Sequence, residues 1–425
     1  MCYSKLVYFV TGVTCHENYK GDALTKIRSI AGLLACAAVF TAGCGSSKST
    51  TATTAAPAAT TAAPAATTAA PAATTAAPAA TADPGMDAAK AVLAKFGKPV
   101  NQIGPTIPLK SKPPKKKMYF LESESASSQA HTPGLKAATA ALGWDLTVVT
   151  AKAFDPAVAF QGAIDAGADY IAISGSPYAT YQVQAEAALA KGIKVVSCYS
   201  AFPENQPGGG KNLLNQCGDE NFVKRTGPAM ADWMIVDSKG AANVLIVNIR
   251  DYPVLVAEED EFKAEMSKNC AKCTADTLNV TLDDLIGGKI PNAIASKIQQ
   301  NAKLNYVFFT FGDLPGGVSA TLKSAGLLDK VKLFGQDFNK ADLEEIVAGT
   351  MGAWSSNPKA YAGWLMVDAA ARDSIGQAND EERAVAALPF YIVSTADEAK
   401  RVLALPGNDW NPADMAAQFK KLWGV

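Results

Sequence analysis

From residue 118 onward the chain alternates short apolar runs with longer amphipathic stretches. The runs are MYFLES at Met118, LTVVT at Leu146, YIAIS at Tyr170, KVVSC at Lys194, NVLIVN at Asn243, YVFFTF at Tyr306 and VKLFG at Val331. Near-continuous apolar, β-branched runs of this length predict strands buried on both faces. Between them a helical period predicts helices over 133–142, 156–166, 180–190, 224–238, 256–269, 290–301, 318–325 and 340–348. Strand and helix in alternation imply an α/β fold of parallel sheets covered by helices on both faces. The repeat spacing breaks around 222–242, and roughly 310 residues exceed one comfortable core, so two doubly wound lobes are expected.

Upstream the pattern is different. Residues 30–40, IAGLLACAAVF, form an apolar run preceded by Lys26 and Arg28, the charge order of a secretory leader. The run is too short to cross a bilayer as a helix. It ends in Phe40-Thr41-Ala42-Gly43-Cys44, which resembles a bacterial lipobox with threonine where leucine is commoner. Residues 1–43 are therefore expected to be removed and Cys44 lipidated. The stretch before Lys26 carries Glu17, Asp22, Cys2 and Cys15, so translation is expected to start further downstream. From Thr53 the heptapeptide TTAAPAA repeats four times, with prolines at 57, 64, 71 and 78. Such a tract lacks large apolar side chains and regular helix donors, so it should stay extended and solvated. With a second proline-rich stretch up to the basic run Lys115–Lys117, residues 44–115 are read as a disordered tether.

Composition narrows the chemistry. The 425 residues carry 39 basic and 40 acidic side chains, a net charge of −1, which gives no basic face for nucleic acid. The two histidines, His16 and His131, leave a histidine-rich metal site or a Ser-His-Asp hydrolase almost nothing to draw on. Gly208-Gly209-Gly210-Lys211 lacks the spacing and hydroxyl of a phosphate loop. No enzyme, metal or cofactor is expected. The acidic run Glu258 to Glu261 is read as a solvated helix face. Removing the leader leaves Cys44, Cys198, Cys217, Cys270 and Cys273, an odd count that fits lipidation of one. Cys198 and Cys217 close neighbouring sheet elements and are expected to pair. Cys270-Ala271-Lys272-Cys273 follows a helix end rather than opening a helix, so a disulfide closing a small loop is preferred to a zinc or redox site.

The segment LGWDLTVVTAKAFDPAVAFQGAIDAGADYIAISGS, followed by ALAKGIKVVSC, resembles the ribose-binding-protein family, the type I substrate-binding proteins of sugar ABC transporters. KVKLFGQDFNKADLEEIVAGTMGAWSSNP is similar to that family's late strand, helix and re-entrant strand. The resemblance implies two Rossmann-like lobes joined by a three-strand hinge near Asn221, Ser355 and Tyr391. The N-terminal lobe would then comprise 116–221 and 356–390, and the C-terminal lobe 222–355 and 391–425.

In open parallel sheets, ligands bind outside the strand C-termini. The polar residues there include Ser123, Ser125, Ser127, Gln129 and Ser176 in the first lobe, and Asn248 and Arg250 in the second. The resemblance places a sugar-binding carboxylate at Asp337. It matches Asp313 to the second half of an Asn-Asp pair whose first member is Gly312 here, and puts Tyr199-Ser200 where an Asp-Arg pair is usual. Its hinge glutamine falls at Ser356, beside Asn357, and Arg250 could reach the space of an arginine missing near Val256. Tyr199, Phe202, Tyr252 and Trp354 are candidates to stack on a sugar ring. The expected protein is a monomeric lipid-anchored solute-binding protein. It would touch the membrane only through its anchor and hand a small sugar-like ligand to an ABC transporter permease. A sensing lipoprotein presenting its ligand to a membrane kinase, and an adhesion or wall protein using only the tether, are the alternatives.

Overall fold

A computed structural model describes residues 84–152, 154–200, 213–217, 220–377 and 388–425. The leader, Cys44, the TTAAPAA repeats and Phe202 lie outside the described residues.

After a first helix α1 (Pro84–Phe96), the N-terminal lobe runs β1 (Lys117–Glu122), α2 (Ala126–Gln129), α3 (Thr132–Leu142), β2 (Asp145–Thr150), α4 (Ala157–Asp165), β3 (Tyr170–Ser174), α5 (Gln182–Ala190), β4 (Lys194–Cys198) and β5 (Leu213–Cys217). Its strands are all parallel, in the order β2-β1-β3-β4-β5. The C-terminal lobe follows with α6 (Glu220–Asp237), β6 (Asn243–Ile249), α7 (Pro253–Asn269), β7 (Thr274–Val280), α8 (Leu282–Ile286), α9 (Ile290–Gln300), β8 (Tyr306–Phe309), α10 (Val318–Ser324), β9 (Lys332–Gln336), α11 (Lys340–Ala348) and β10 (Met351–Ser356). The chain then returns to the first lobe as α12 (Lys359–Ser374), comes back as β11 (Tyr391–Val393) and ends with α13 (Ala396–Leu403) and α14 (Met415–Trp423). The second sheet has the order β11-β10-β9-β8-β6-β7, with only the β10–β11 pair antiparallel. Strand order reverses between β1 and β3 in one sheet and between β6 and β8 in the other, and these reversals open a crevice at the strand C-termini.

The central strands are buried end to end, as in YIAIS of β3. Strand β7, TADTLNV, was not legible because it lies at the sheet edge and alternates exposed and half-buried positions. Helix α12 was missed for the opposite reason. It is buried almost throughout, so its sequence has no polar face to betray a helical period. It crosses α3 closely: a Cβ on Gly134 would overlap the Ala360 carbonyl, and one on Gly363 would lie 2.7 Å from the Leu135 nitrogen.

Both ends of the described chain depart from the expected boundaries. Within the stretch read as tether, α1 is a packed helix. Its Met86, Val92, Leu93 and Phe96 lie against the second lobe's core, and Phe96 meets Phe390 edge-on at 5.2 Å. At the other end, α13 packs on α11, whereas α14 crosses back to α3. Phe419 and Trp423 stack on Trp364 at 5.3 and 5.2 Å, and Trp423 Nε1 donates to Asp368 at 2.6 Å. That pair of aromatic anchors draws the C-terminal residues out of the lobe assigned to 391–425. Residues 103–110 follow the same surface, with the Leu109 amide donating to Leu422 and Arg372 to the Ile107 carbonyl.

The acidic run at 258–261 is also corrected. Glu258 and Glu259 are buried, because one face of α7 lies on the sheet while Asp260 stays exposed. Both expected disulfides are formed, Cys198–Cys217 across adjacent β4 and β5 and Cys270–Cys273 around a short turn.

Candidate functional site

A cavity lies between the two sets of strand ends. The first lobe contributes hydroxyls. Ser123 and Ser125 follow β1, Ser127 and Ser128 lie on α2, and Ser174 and Ser176 close β3. The Ser125 side chain caps α2 by accepting from the Ser128 amide at 3.1 Å, and Ser128 Oγ accepts from the Ser123 amide at 3.0 Å. Capping a short helix at a strand end is what places serines along this wall.

The facing wall is different. Phe222 of α6, Tyr252, Val254 and Leu255 at the start of α7, and Phe311 after β8 line it. Its polar side chains turn inward. Thr310 donates to Asn248 Oδ1 at 3.0 Å, and Gln336 Nε2 donates to the Thr310 carbonyl at 2.7 Å. Tyr252 meets Phe154 from the first lobe at 4.5 Å between ring centroids.

Asp337, directly after β9, is the only charged side chain lining this cavity among the described residues. Its backbone is left-handed (φ 65°), and its amide donates to the Ser355 carbonyl at 2.7 Å. Opposite, Tyr199 is also left-handed (φ 55°), and its amide donates to the Cys217 carbonyl at 2.9 Å. Such conformations in non-glycine residues are uncommon and concentrate at functional sites. The Tyr199 ring lies 5.3 Å from His131 and 5.6 Å from Phe222, with Lys359 Nζ 5.2 Å from its face. Its buried hydroxyl has no hydrogen-bond partner among the described residues.

Lys359 completes the centre. It opens α12 just past the β10 crossing, is buried, and forms an ion pair with Asp337. Burial pushes its ammonium down to about 7 against the attraction of Asp409 and Asp313. Asp409, between α13 and α14, caps α12 by accepting the amides of Lys359 at 3.1 Å and Ala360 at 2.9 Å, and burial raises its carboxyl. Asp313, raised by burial in the same way, accepts the Ala126 amide. His131 donates from Nδ1 to the Ser128 carbonyl at 3.1 Å, and burial and then Lys359 hold it down at about 3, so it stays neutral. Asp313, Asp337, Lys359 and Asp409 surround a second cavity that shares Ser127 and Asp337 with the first.

Of the residues singled out from sequence, Ser123, Ser125, Ser127, Ser176, Tyr199, Tyr252 and Asp337 meet in the main cavity, and Asp313 and Ser356 in its neighbour. Five others do not. Trp354 is wholly buried, stacked on Phe309 with its indole N–H on Met351 Sδ, so it can neither stack on a ligand nor report one directly. Asn248 is equally buried and holds Glu259 Oε2 at 2.6 Å inside the lobe. Arg250 is exposed and outside both cavities, and Gln129 is exposed with its amide 3.4 Å from the Glu124 carbonyl. Asn357 is buried behind Ser356 and accepts from Lys359 at 3.4 Å. The departure at Gly312 has a steric reason: a Cβ there would overlap the Asp337 carbonyl.

Sequence reasoning missed Lys359, Asp409 and most of the apolar wall. A lone lysine opening a helix whose next eight residues, AYAGWLMV, carry no charge was the available signal for Lys359.

Residues 127–378 match the family model described as a periplasmic binding protein domain. A search among curated proteins returns no match. Among solved structures, the chain is similar to a 5-methylthioribose transporter solute-binding protein from Thermotoga lettingae in complex with 5-methylthioribose. That likeness has 16% identity and a TM-score of 0.57 and covers 74% of this chain and 99% of that one. It is similar as well to an ABC transporter solute-binding protein from Agrobacterium vitis bound to α-D-tagatopyranose, at 17% identity and a TM-score of 0.58 over 68% and 98% of the chains. A Mycobacterium smegmatis solute-binding protein with bound glycerol gives 18% identity and a TM-score of 0.57 over 70% and 100%. Two doubly wound lobes, a crevice at both switch points and a family match over more than half its length place this chain in the periplasmic binding protein family, a group of binding proteins rather than enzymes.

Proposed function

We propose that the chain captures a small neutral solute, a sugar or related polyol, in the inter-lobe cleft and delivers it to the permease of an ABC importer. Lipid on Cys44 would hold it at the outer face of the membrane. The observation that carries this reading is the row of serine hydroxyls at the β1 and β3 ends facing the carboxylate of Asp337. Hydroxyls can both donate and accept, and a carboxylate accepts on two oxygens, which together suit the hydroxyls of a neutral sugar. The solutes bound in the similar structures support the reading. The ion pair with Lys359 offsets the charge of Asp337.

The test is a thermal-shift screen of the purified protein across pentoses, hexoses, polyols, nucleosides and amino acids. A ligand that binds only the native state at a hundred times its Kd stabilises by about 2.7 kcal/mol. A shift from at least one sugar or polyol is expected, and responses confined to amino acids would overturn the reading. For the anchor, Cys44→Ala should release the protein from membranes, and retention would contradict lipidation there.

A further inference from the structure

The two walls of the cleft are chemically unlike, and a uniformly hydroxylated sugar matches only one of them. We infer that the preferred ligand is a neutral molecule of two halves. Its hydroxyl-bearing half faces the serines and Asp337, and its apolar arm of several carbons lies against Phe222, Tyr252, Val254, Leu255 and Phe311. This rests on the reading of the cleft as a sugar site and narrows its substrate class.

Satisfied and unsatisfied polar groups decide the fit. A hydroxyl moved from water to a buried surface loses its hydrogen bonds unless the site replaces them. On the second lobe's wall the two nearest polar side chains have no donor to spare, because the Thr310 hydroxyl and the Gln336 amide donate to partners inside the lobe. Carbon placed there gains what a hydroxyl loses, since apolar surface leaves water on both sides of the contact. Charge argues for neutrality at both halves. Asp337 is the only charged side chain lining the main cavity among the described residues, and it is paired with Lys359. An anionic ligand would find no free cation along this lining, and a cationic one would compete with a buried ammonium already in place.

Matched pairs test the inference directly by calorimetric titration: glucose, galactose and ribose against their n-butyl and phenyl β-glycosides. At least one glycoside is expected to bind tenfold or more tightly than its free sugar. Tyr252→Ser, a half-buried position on the apolar wall, should erase most of that advantage, lowering glycoside affinity by a larger factor than free-sugar affinity. Phe311→Ser, also half-buried, gives the same readout if the first variant folds poorly. Free sugars binding as tightly as their glycosides, or variants that weaken both equally, would overturn the two-halved ligand and leave sugar capture standing. No heat with any member of either set would overturn both.

Discussion

The two walls of the cleft arise from the same local architecture, a parallel strand ending in a loop that starts a helix, yet they differ in what their first helical turn exposes. In the first lobe the loop after β1 caps α2 with Ser125, and the serines at hand stay beside the cavity. In the second lobe α7 begins Tyr252-Pro253-Val254-Leu255 with no side-chain cap, and apolar groups fill the same place. The lobes are also braced differently. Tyr199 on the first wall directly follows the Cys198–Cys217 bond, whereas the second wall rests on buried carboxyls. Glu258 accepts from Thr226 at 2.6 Å, and Glu259 accepts from Asn248 at 2.6 Å and from Lys263. Cleft polarity is thus set by helix-start chemistry, and wall rigidity by whatever lies one layer behind.

The largest expected effect comes from the pair that joins the walls. Lys359→Met leaves the Asp337 carboxylate partly buried without its cation, which should cost about 3–5 kcal/mol of stability in urea unfolding. Asp337→Asn should cost less stability, since Asp313 and Asp409 still face Lys359. It should nevertheless lower sugar affinity at least tenfold, through loss of charge-assisted bonds worth roughly 1.5–3 kcal/mol. A Lys359→Met protein as stable as the parent would break the claim that this pair braces the cleft.

Glu258 sharpens the comparison through pH. Burial raises its carboxyl to about 8 from an ordinary 4.5, so the folded state holds a proton that the unfolded state releases. Its contribution is full below 4.5 and is lost as pH rises through 8, at up to about 1.4 kcal/mol per pH unit. Melting curves from pH 5 to 9 should therefore fall more steeply for the parent than for Glu258→Gln.

The first wall should answer to redox instead. Closing a loop with a sequence separation of 19, the Cys198–Cys217 bond is worth about 3 kcal/mol in the chain-entropy account. The double variant C198S/C217S should melt lower by that amount and bind sugar more weakly. C270S/C273S, which opens a three-residue separation away from the cleft, should do much less. Smallest is Ser125→Ala, which removes the α2 cap at about 1 kcal/mol and weakens sugar binding by a similar amount, with calorimetry and melting as the readouts.

Most of the architecture was legible because its strands are fully buried and its helices mostly amphipathic. The exceptions follow the same physics. Helix α12 had no polar face to show a period, edge strand β7 had too little apolar content, and α1 sits directly after a repeat whose composition masked it. The cleft was legible as a place, since strand ends at topological switch points can be read from alternation alone. Its membership was not. Trp354 and Asn248 occupy strand positions whose side chains turn into the lobe, and only register decides which face a strand residue takes. Lys359 and Asp409 come from separate crossings distant in sequence, so no local pattern joins them.

Amide hydrogen exchange, recorded with and without the panel member that gives the largest melting shift, decides whether both walls close on one solute. A cleft that closes on its solute predicts slowed exchange in both lobes together, at 123–128 and 174–176 on the hydroxyl wall and at 252–255, 310–311 and 336–337 on the other. Protection confined to one lobe, or appearing away from these strand ends, would contradict it.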